Sequence, residues 1–256
     1  MGNHLLAAHH DLISRVAEAL RRAHHVAVLT GAGVSAESGV PTFRDAQTGL
    51  WARYSPEELA TPQAFERTPH LVWAWYRWRR DRIRRAVPNS AHRALVEVEH
   101  RAPRFTLITQ NVDGLHHRAG SRRVIELHGN IMRTKCSREG IIVHTWDEPE
   151  DDAPPMCPRC GAYLRPDVVW FGEMLPQEAL RAALEAATSA DLFFVVGTSA
   201  VVQPAASLPV EAARHGATVV EVNVEPTPVT RLAHYVLTGP AGTVLPALVR
   251  AAWPTP

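Results

Sequence analysis

The chain has 256 residues, 46% hydrophobic and 21% charged, with a net charge of +1. That length suits one large α/β domain or a large domain beside a small one, and the composition is that of a water-soluble globular protein. A near-neutral charge gives no global case for nucleic-acid binding, no stretch is apolar for long enough to span a bilayer, and the first residues lack a basic-then-apolar secretory pattern.

Leu5 to Arg22 carries apolar residues at 5, 6, 12, 13, 16 and 20, which predicts an amphipathic helix. Val26 to Thr30 reads as a buried strand running into Gly31-Ala32-Gly33. Gly31, Gly33 and Ala36 fit the dinucleotide fingerprint G-x-G-x-x-G/A. Gly31 permits a tight turn, Gly33 lets backbone N–H groups approach a pyrophosphate, and a small residue at 36 lets the next element pack closely. From Glu37 to Asp45 the hydrophobic period stops, and Ser35, Ser38, Thr42, Arg44 and Asp45 surround a Gly39-Val40-Pro41 turn. That predicts a polar ligand-wall loop rather than a crossover helix. The segment Gly-Ala-Gly-Val-Ser-Ala-Glu-Ser-Gly-Val-Pro-Thr-Phe-Arg resembles the NAD-binding signature of the sirtuins, the NAD-dependent protein lysine deacylases. The resemblance implies that Gly31, Ala32, Gly33, Ser35, Glu37, Thr42, Phe43 and Arg44 bind the cofactor.

The next clear strand is Phe105 to Thr109. The intervening span of about seventy residues far exceeds the dozen or so of a simple crossover and predicts an insertion. A helical module at 46–88 fits, with Pro56, Pro62, Pro69 and Pro88 marking helix starts and stops. Its arginine-aromatic run, Leu71 to Arg85, suits either a nucleic-acid or membrane face or an exposed basic helix with buried aromatics; the second is favoured. Tyr76 and Arg79, three residues apart, share a helix face, and a phenol beside a guanidinium can hold a carboxylate. This Tyr-x-x-Arg pair is similar to the one marking sirtuins that remove malonyl, succinyl or glutaryl groups. It implies acidic acyl groups as preferred substrates, with acetyl a lesser one.

A helix at 91–101, strands at 105–109 and 124–127, and a second insertion at about 130–165 follow. Asp167 to Phe171 is expected to return to the sheet. Beyond it come a helix near 177–188, strand 191–196, a helix near 204–214, strands 218–224 and 234–237, and a helix near 243–252. The alternation predicts a doubly wound parallel, Rossmann-like sheet built from 1–45, 89–129 and 166–256. A small second domain would combine 46–88 with a zinc-ribbon-like cysteine module at 130–165.

Cys136, Cys157 and Cys160 are an odd, clustered set, which argues for a metal site in a reducing, cytoplasmic setting rather than a disulfide framework. The C-x-x-C turn at Cys157 and Cys160 suits structural zinc. The sirtuin pattern has a fourth cysteine where this chain has Glu139. Either Glu139, His144 or Asp147 completes the tetrahedron, or the module stands by packing alone.

Ligands of such sheets bind at the carboxyl ends of the strands. Those ends read Gly31-Ala32-Gly33, Gln110-Asn111-Val112-Asp113, His128-Gly129, Gly197-Thr198-Ser199 and Asn223-Val224-Glu225, with a Gly239–Gly242 turn last. Strand two ends in Gln110, where a dehydrogenase would carry an acidic residue for the ribose, so hydride transfer is disfavoured. His128 suits a base at neutral pH, whereas His116 and His117 read as a solvated pair. The resemblance to sirtuins implies that Gln110, Asn111 and Asp113 contact the nicotinamide and its ribose. It places Gly197, Thr198 and Ser199, then Asn223, Val224, Glu225 and Ala241, along the adenosine half. It makes His128 the catalytic base, with Asn111 and Asp113 assisting, and gives Val169, Phe171, Gly172 and Glu173 the peptide backbone to pair with. The implied reaction removes an acyl group from protein lysine, releasing nicotinamide and O-acyl-ADP-ribose, in a monomer without membrane or specific nucleic-acid partners. The alternatives are mono-ADP-ribosyl transfer to protein and a non-catalytic NAD-sensing module.

Overall fold

Val26, Ala27, Val28 and Leu29 send alternate side chains to opposite faces, and the strand they form, β1 (His25–Thr30), is buried along its whole length. A strand buried on both faces belongs in the middle of a parallel sheet covered by helices. A computed structural model, which describes residues 10–40, 54–147, 149 and 153–254, has that arrangement. β2 (Arg104–Thr109), β3 (Val124–Glu126), β6 (Leu192–Val196), β7 (Thr218–Asn223) and β8 (Tyr235–Thr238) join β1 in a parallel sheet of order β3-β2-β1-β6-β7-β8. Val26, Val28, Leu107 and Phe194 pack under α1 (His10–Arg22), α5 (Ser90–Arg101) and α9 (Ala241–Ala252). On the other face Ala27, Leu29, Ile108 and Phe193 meet α7 (Gln177–Ser189) and α8 (Leu208–Arg214). The strand order reverses between β1 and β6, which makes their carboxyl ends the topological switch point where such sheets bind ligands.

The first insertion supplies α2 (Pro56–Leu59), α3 (Pro62–Arg67) and α4 (Pro69–Arg85), each opening on a proline. The missing proline N–H costs nothing in a first helical turn. The second supplies an antiparallel pair, β4 (Gly129–Cys136) and β5 (Leu164–Val168), which is a separate two-stranded sheet. Residues 167–171 therefore do not rejoin the main sheet. Gly129 turns the chain out of it at φ +77°, where a Cβ would lie 2.2 Å from the Asp167 carbonyl oxygen. Across the pair, the Asp167 carboxylate accepts from Arg133 Nε at 2.8 Å and lies 3.4 Å from Lys135 Nζ. The two insertions meet in one cluster, with Leu59, Phe65, Trp75, Tyr76 and Ile83 packed against Ile131, Val168 and Trp170.

The basic helix is only partly an exposed one. Arg77, Arg82, Arg84 and Arg85 face solvent, but Arg80 is 6% exposed. Its Nε donates to the Ile131 carbonyl at 2.6 Å, and Nη2 donates to the Arg133 carbonyl at 2.9 Å and to Thr134 Oγ1 at 3.0 Å. Arg118, on the short α6 (Leu115–Ala119), donates to the Ile83 and Ala86 carbonyls and so closes the C-terminal end of α4. Neither α6 nor the 3-10 turn at Ala32–Ser38 is visible in the hydrophobic periodicity. Replacing Arg80 with Met leaves buried carbonyls without their donors, which costs about 2–4 kcal/mol. The expected result is a clearly lowered thermal midpoint for Arg80→Met, against a change within about 0.5 kcal/mol for the exposed Arg85→Met.

Candidate active site

Two backbone turns interlock at the switch point. The Gly31 N–H donates to the Val196 carbonyl at 3.1 Å and the Gly33 N–H to the Gly197 carbonyl at 2.8 Å. A Cβ on Gly33 would lie 2.8 Å from Gly197 Cα, and one on Gly197, at φ +57°, 2.5 Å from Val34 N. The turns close this tightly only because both residues lack side chains.

Polar side chains knit the neighbouring strand ends to this junction. Gln110 Nε2 donates to Thr198 Oγ1 at 2.9 Å, and Asn223 Nδ2 to the Thr198 carbonyl at 2.9 Å. Asn111 Nδ2 donates to the Gly31 carbonyl at 3.0 Å and to Ser35 Oγ at 3.2 Å. The Ser35 hydroxyl donates to Asp113 Oδ2 at 2.7 Å, while Asp113 Oδ1 accepts from the Leu115 N–H at 2.9 Å. Burial pushes the Asp113 carboxyl above its ordinary range; the Leu115 and Ser35 donors and the Arg79 charge oppose that shift.

His128 follows β3, and its Nδ1 lies 2.9 Å from the Gln110 carbonyl oxygen. Because a carbonyl only accepts, Nδ1 carries the proton there and Nε2 is left as the basic nitrogen. Burial lowers the His128 pKa, with the Gln110 carbonyl pulling the other way. The ring is therefore neutral, and able to take a proton, at neutral pH.

Beneath the site lies a pair of histidines that the strand-end reading missed. His116 is 2% exposed, not solvated, and its Nε2 lies 3.0 Å from Thr30 Oγ1. His92, fully buried, packs against it with tilted rings 4.8 Å apart and lies 3.5 Å from Ser35 Oγ. His92 occupies the third position of α5 after the Asn89 cap, where its Nδ1 accepts from the Asn89 N–H. The Asn-x-x-His spacing before an apolar run was the available signal.

The remaining expected residues are more dispersed. Glu37 accepts from the Gly242 N–H at 2.6 Å, at the start of α9 and beside the buried Ala241. A carboxylate is favoured at a helix N-terminus. Ser199, Val224 and Glu225 are exposed at the strand ends, and Thr42, Phe43 and Arg44 lie outside the described residues. On α4, the Arg79 guanidinium sits 4.9 Å from the Trp75 ring and 5.9 Å from the Tyr76 ring. Burial pulls its pKa down, offset by Tyr76 and Asp113. Tyr76, 1% exposed, accepts from Trp170 Nε1 at 2.8 Å, and burial pushes its hydroxyl up to about 12. In the segment after β5, the Val169 N–H donates to the His128 carbonyl and the Phe171 N–H to the Ala60 carbonyl, each at 2.9 Å. Glu173 is engaged internally: it accepts from Arg165 at 2.6 and 2.9 Å and from the Trp170 N–H at 2.7 Å.

Away from the sheet, Cys136, Glu139, Cys157 and Cys160 place one ligand atom each within 4.8 Å of one another, and the cysteines are free thiols. Three sulfurs and one carboxylate are a donor set that tetrahedral zinc accepts. Neither His144 nor Asp147 belongs to this group.

Residues 31–204 match the profile of the Sir2 family. The chain belongs to the Sir2 family. It is 56% identical to the NAD-dependent protein deacylase 2 of Pyrobaculum aerophilum over 91% of this chain and 93% of that protein. It is similar to a Sir2 homologue solved in complex with NAD, at 48% identity and a TM-score of 0.87 over 93% of each chain. It is also similar to Sir2Af2 bound to a myristoylated histone peptide, at 39% identity and a TM-score of 0.77, covering 95% of this chain and 97% of that one. As expected for a sirtuin, the main sheet is Rossmann-like. Among the described residues no helix is long and apolar enough to cross a membrane.

The buried histidines carry a cost at low pH. The His92 pKa is driven down to about 4 by burial, helped by Arg93, whereas in the unfolded chain it is near 6.5. Between those values the unfolded chain binds the extra proton, so stability falls as pH drops from about 6.5 towards 4. The full shift is worth about 3 kcal/mol. A His92→Gln variant should show a flatter decline of unfolding free energy across that window, measured by denaturant titration at stepped pH.

Proposed function

We propose that this Sir2 protein removes acyl groups from lysine side chains of proteins, preferring succinyl and malonyl over acetyl. It is an NAD-dependent protein deacylase, and on this reading the reaction would release nicotinamide and O-acyl-ADP-ribose. The observation that carries the reading is a base of defined tautomer, His128, sharing one hydrogen-bonded constellation with Asn111, Asp113, Ser35 and the interlocked glycine turns.

The cradle fits the cofactor, since the close Gly33–Gly197 approach leaves backbone rather than side chains at the switch point. Gly31, Ala32 and Gly33 would hold the phosphates; Gln110, Asn111 and Asp113 the nicotinamide ribose; Gly197, Thr198, Ser199, Asn223, Val224, Glu225 and Ala241 the adenosine half. Thr42, Phe43 and Arg44 would wall the site from the loop before the helical module. When bound, NAD supplies the sugar carbon that accepts the acyl oxygen as nicotinamide departs. His128 Nε2 takes up a proton from a sugar hydroxyl, while Nδ1–H, held on the Gln110 carbonyl, keeps the ring in the productive orientation. Asp113, fixed at both oxygens, orients Ser35 and with Asn111 keeps the ribose in place. The peptide would lie along Val169–Glu173, meeting carbonyls for the most part, because the N–H groups of Val169, Trp170 and Phe171 have internal partners.

The acidic-acyl preference rests on Tyr76 and Arg79, a phenol and a half-buried guanidinium on one face of α4, with Arg79 drawn electrostatically towards Asp113. The reducing, cytoplasmic setting fits the three free thiols. Zinc held by Cys136, Cys157, Cys160 and Glu139 would stabilise the β4–β5 module and take no part in the chemistry.

Matched succinyl- and acetyl-lysine peptides incubated with and without NAD, and read by mass spectrometry, test the reading. Succinyl loss should be NAD-dependent and faster by about tenfold or more, the worth of one charge-assisted contact. Arg79→Met should reverse the order. Faster acetyl removal would remove the acidic preference and keep the deacylase. Loss of neither, with ADP-ribose mass added to protein, would replace it by a transferase.

His128→Ala should abolish turnover while NAD still binds. The profile of kcat/KM for the unsubstituted protein should rise along an acid limb centred below 6.5, the direction in which burial moves His128. Elemental analysis should find about one zinc per chain, as a closed structural site requires. Glu139→Cys should slow its removal by chelator.

A further inference from the structure

The Tyr76 hydroxyl has one neighbour that limits which hydrogen bonds it can make. Trp170 lies on the segment after β5, 2% exposed, and its indole N–H donates to Tyr76 Oη at 2.8 Å. A phenol has one proton and a limited acceptor capacity. With a lone pair occupied by the indole, the Tyr76 proton points away from Trp170.

Both rings are held. Tyr76 packs edge-on against Trp75 at 4.6 Å, and Trp170 lies 5.3 Å from the Phe65 ring. The Arg165 guanidinium covers the Trp170 face at 3.2 Å and is fixed by two hydrogen bonds to Glu173 and one to the Val168 carbonyl. Arg165 is 6% exposed, so this support is internal to the protein. Despite burial, which raises it, the Glu173 pKa is held below the ordinary carboxylate range by Arg165 and the Trp170 N–H, so the clamp stays ionised. The neighbouring Val169 N–H is bonded to the His128 carbonyl. The indole is therefore anchored to the segment that also touches the backbone of the base.

We propose that Trp170 is a positioning residue for acyl selection: by occupying the Tyr76 oxygen as a donor, it commits the phenol proton to an acceptor on the substrate, the terminal carboxylate of a dicarboxylic acyl group. A phenol that accepts one hydrogen bond is polarised into a stronger donor. Burial of Tyr76, which pushes its hydroxyl up to about 12, keeps that proton in place across the working pH range. Arg79 then supplies charge, Tyr76 a directed proton, and Trp170 the direction. This inference rests on the acidic-acyl reading of Tyr76 and Arg79.

The test compares kcat/KM for succinyl- and acetyl-lysine peptides in the unsubstituted protein, Tyr76→Phe, Trp170→Phe and the double variant. The ratio of the two constants within one preparation is independent of the fraction of folded enzyme. Trp170→Phe should lower the succinyl-to-acetyl ratio by about three- to tenfold, the worth of one hydrogen bond to a charged group, mainly through KM for the succinyl peptide. In the Tyr76→Phe background the same substitution should leave the ratio unchanged, because the two side chains act as one unit.

A fall with Tyr76→Phe but not with Trp170→Phe, or additive effects, overturns the inference while the acidic-acyl reading survives. Absence of a succinyl preference in the unsubstituted protein overturns both. If Trp170→Phe does not fold, the 15N-indole spectrum of the unsubstituted protein decides. The indole N–H resonance that Tyr76→Phe displaces should move further on adding NAD with succinyl-lysine peptide than with the matched acetyl-lysine peptide; equal movement with the two peptides overturns the inference.

Discussion

The contact between the turn at Gly31–Gly33 and the turn at Gly197 governs the rest of the molecule. Parallel strands β1 and β6 lie side by side at the point where the sheet reverses its winding, and their exits cross at backbone distance. A side chain on either glycine would meet backbone atoms, which cannot move aside as the end of a flexible chain could. Close approach brings the Thr198 hydroxyl within reach of Gln110 and the Gly31 carbonyl within reach of Asn111. Asn111 in turn donates to Ser35, and Ser35 to Asp113, so the geometry of the candidate site depends on backbone packing at one crossing. A wider crossing would separate the strand ends and with them every hydrogen bond of this set.

The second organising feature is the way the insertions are tied to that crossing. Neither insertion is large enough to bury an extensive core alone, but α4 and the β4–β5 pair share one cluster and one buried arginine. Arg80 bonds to the backbone of β4, while Tyr76, one turn earlier on the same helix, meets Trp170 beyond β5. The same helix therefore holds the module together and presents the pair assigned to the acyl group. Specificity built this way sits on packed secondary structure, which keeps its polar groups within the narrow tolerances that recognition needs.

Much of the sheet was legible because both faces are covered and the strands read as continuous apolar runs. β1, β6 and β7 fall within about one residue of the expected spans, as the ordinary uncertainty of element ends allows. The strand-end dipeptides were legible for the same reason: polar side chains gather where regular structure ends, and the structure brings those of Gln110, Asn111, Thr198 and Asn223 together there. What the pattern concealed was pairing. Asp167 to Phe171 is apolar enough for a central strand, yet Gly129 diverts the chain and Arg133 and Lys135 hold Asp167 in a hairpin. Periodicity carries no information on that choice, which depends on contacts distant in sequence. His116 was misread because two adjacent histidines look solvated until a short helix turns one inward and leaves the other at the surface beside Glu126. Arg80 was lost in a run of arginines for the same reason.

The electrostatics of the site follow from burial more than from the number of charges. Burial moves His92, His116 and His128 towards the neutral form, and Asp113 and Arg79 each feel the other's charge. Arg79 opposes the upward drift of the Asp113 pKa, and Asp113 opposes the downward drift of Arg79. In a low-dielectric pocket such an influence is stronger than it would be in water. On the proposed reading, a carboxylate arriving on the acyl chain shares Arg79 with Asp113, whereas an acetyl group leaves that attraction untouched. The guanidinium proposed to read the acyl group is the same one whose charge opposes the upward shift of Asp113. On that reading, acyl recognition and the ribose-binding side of the site would feel each other through the mutual influence of Arg79 and Asp113.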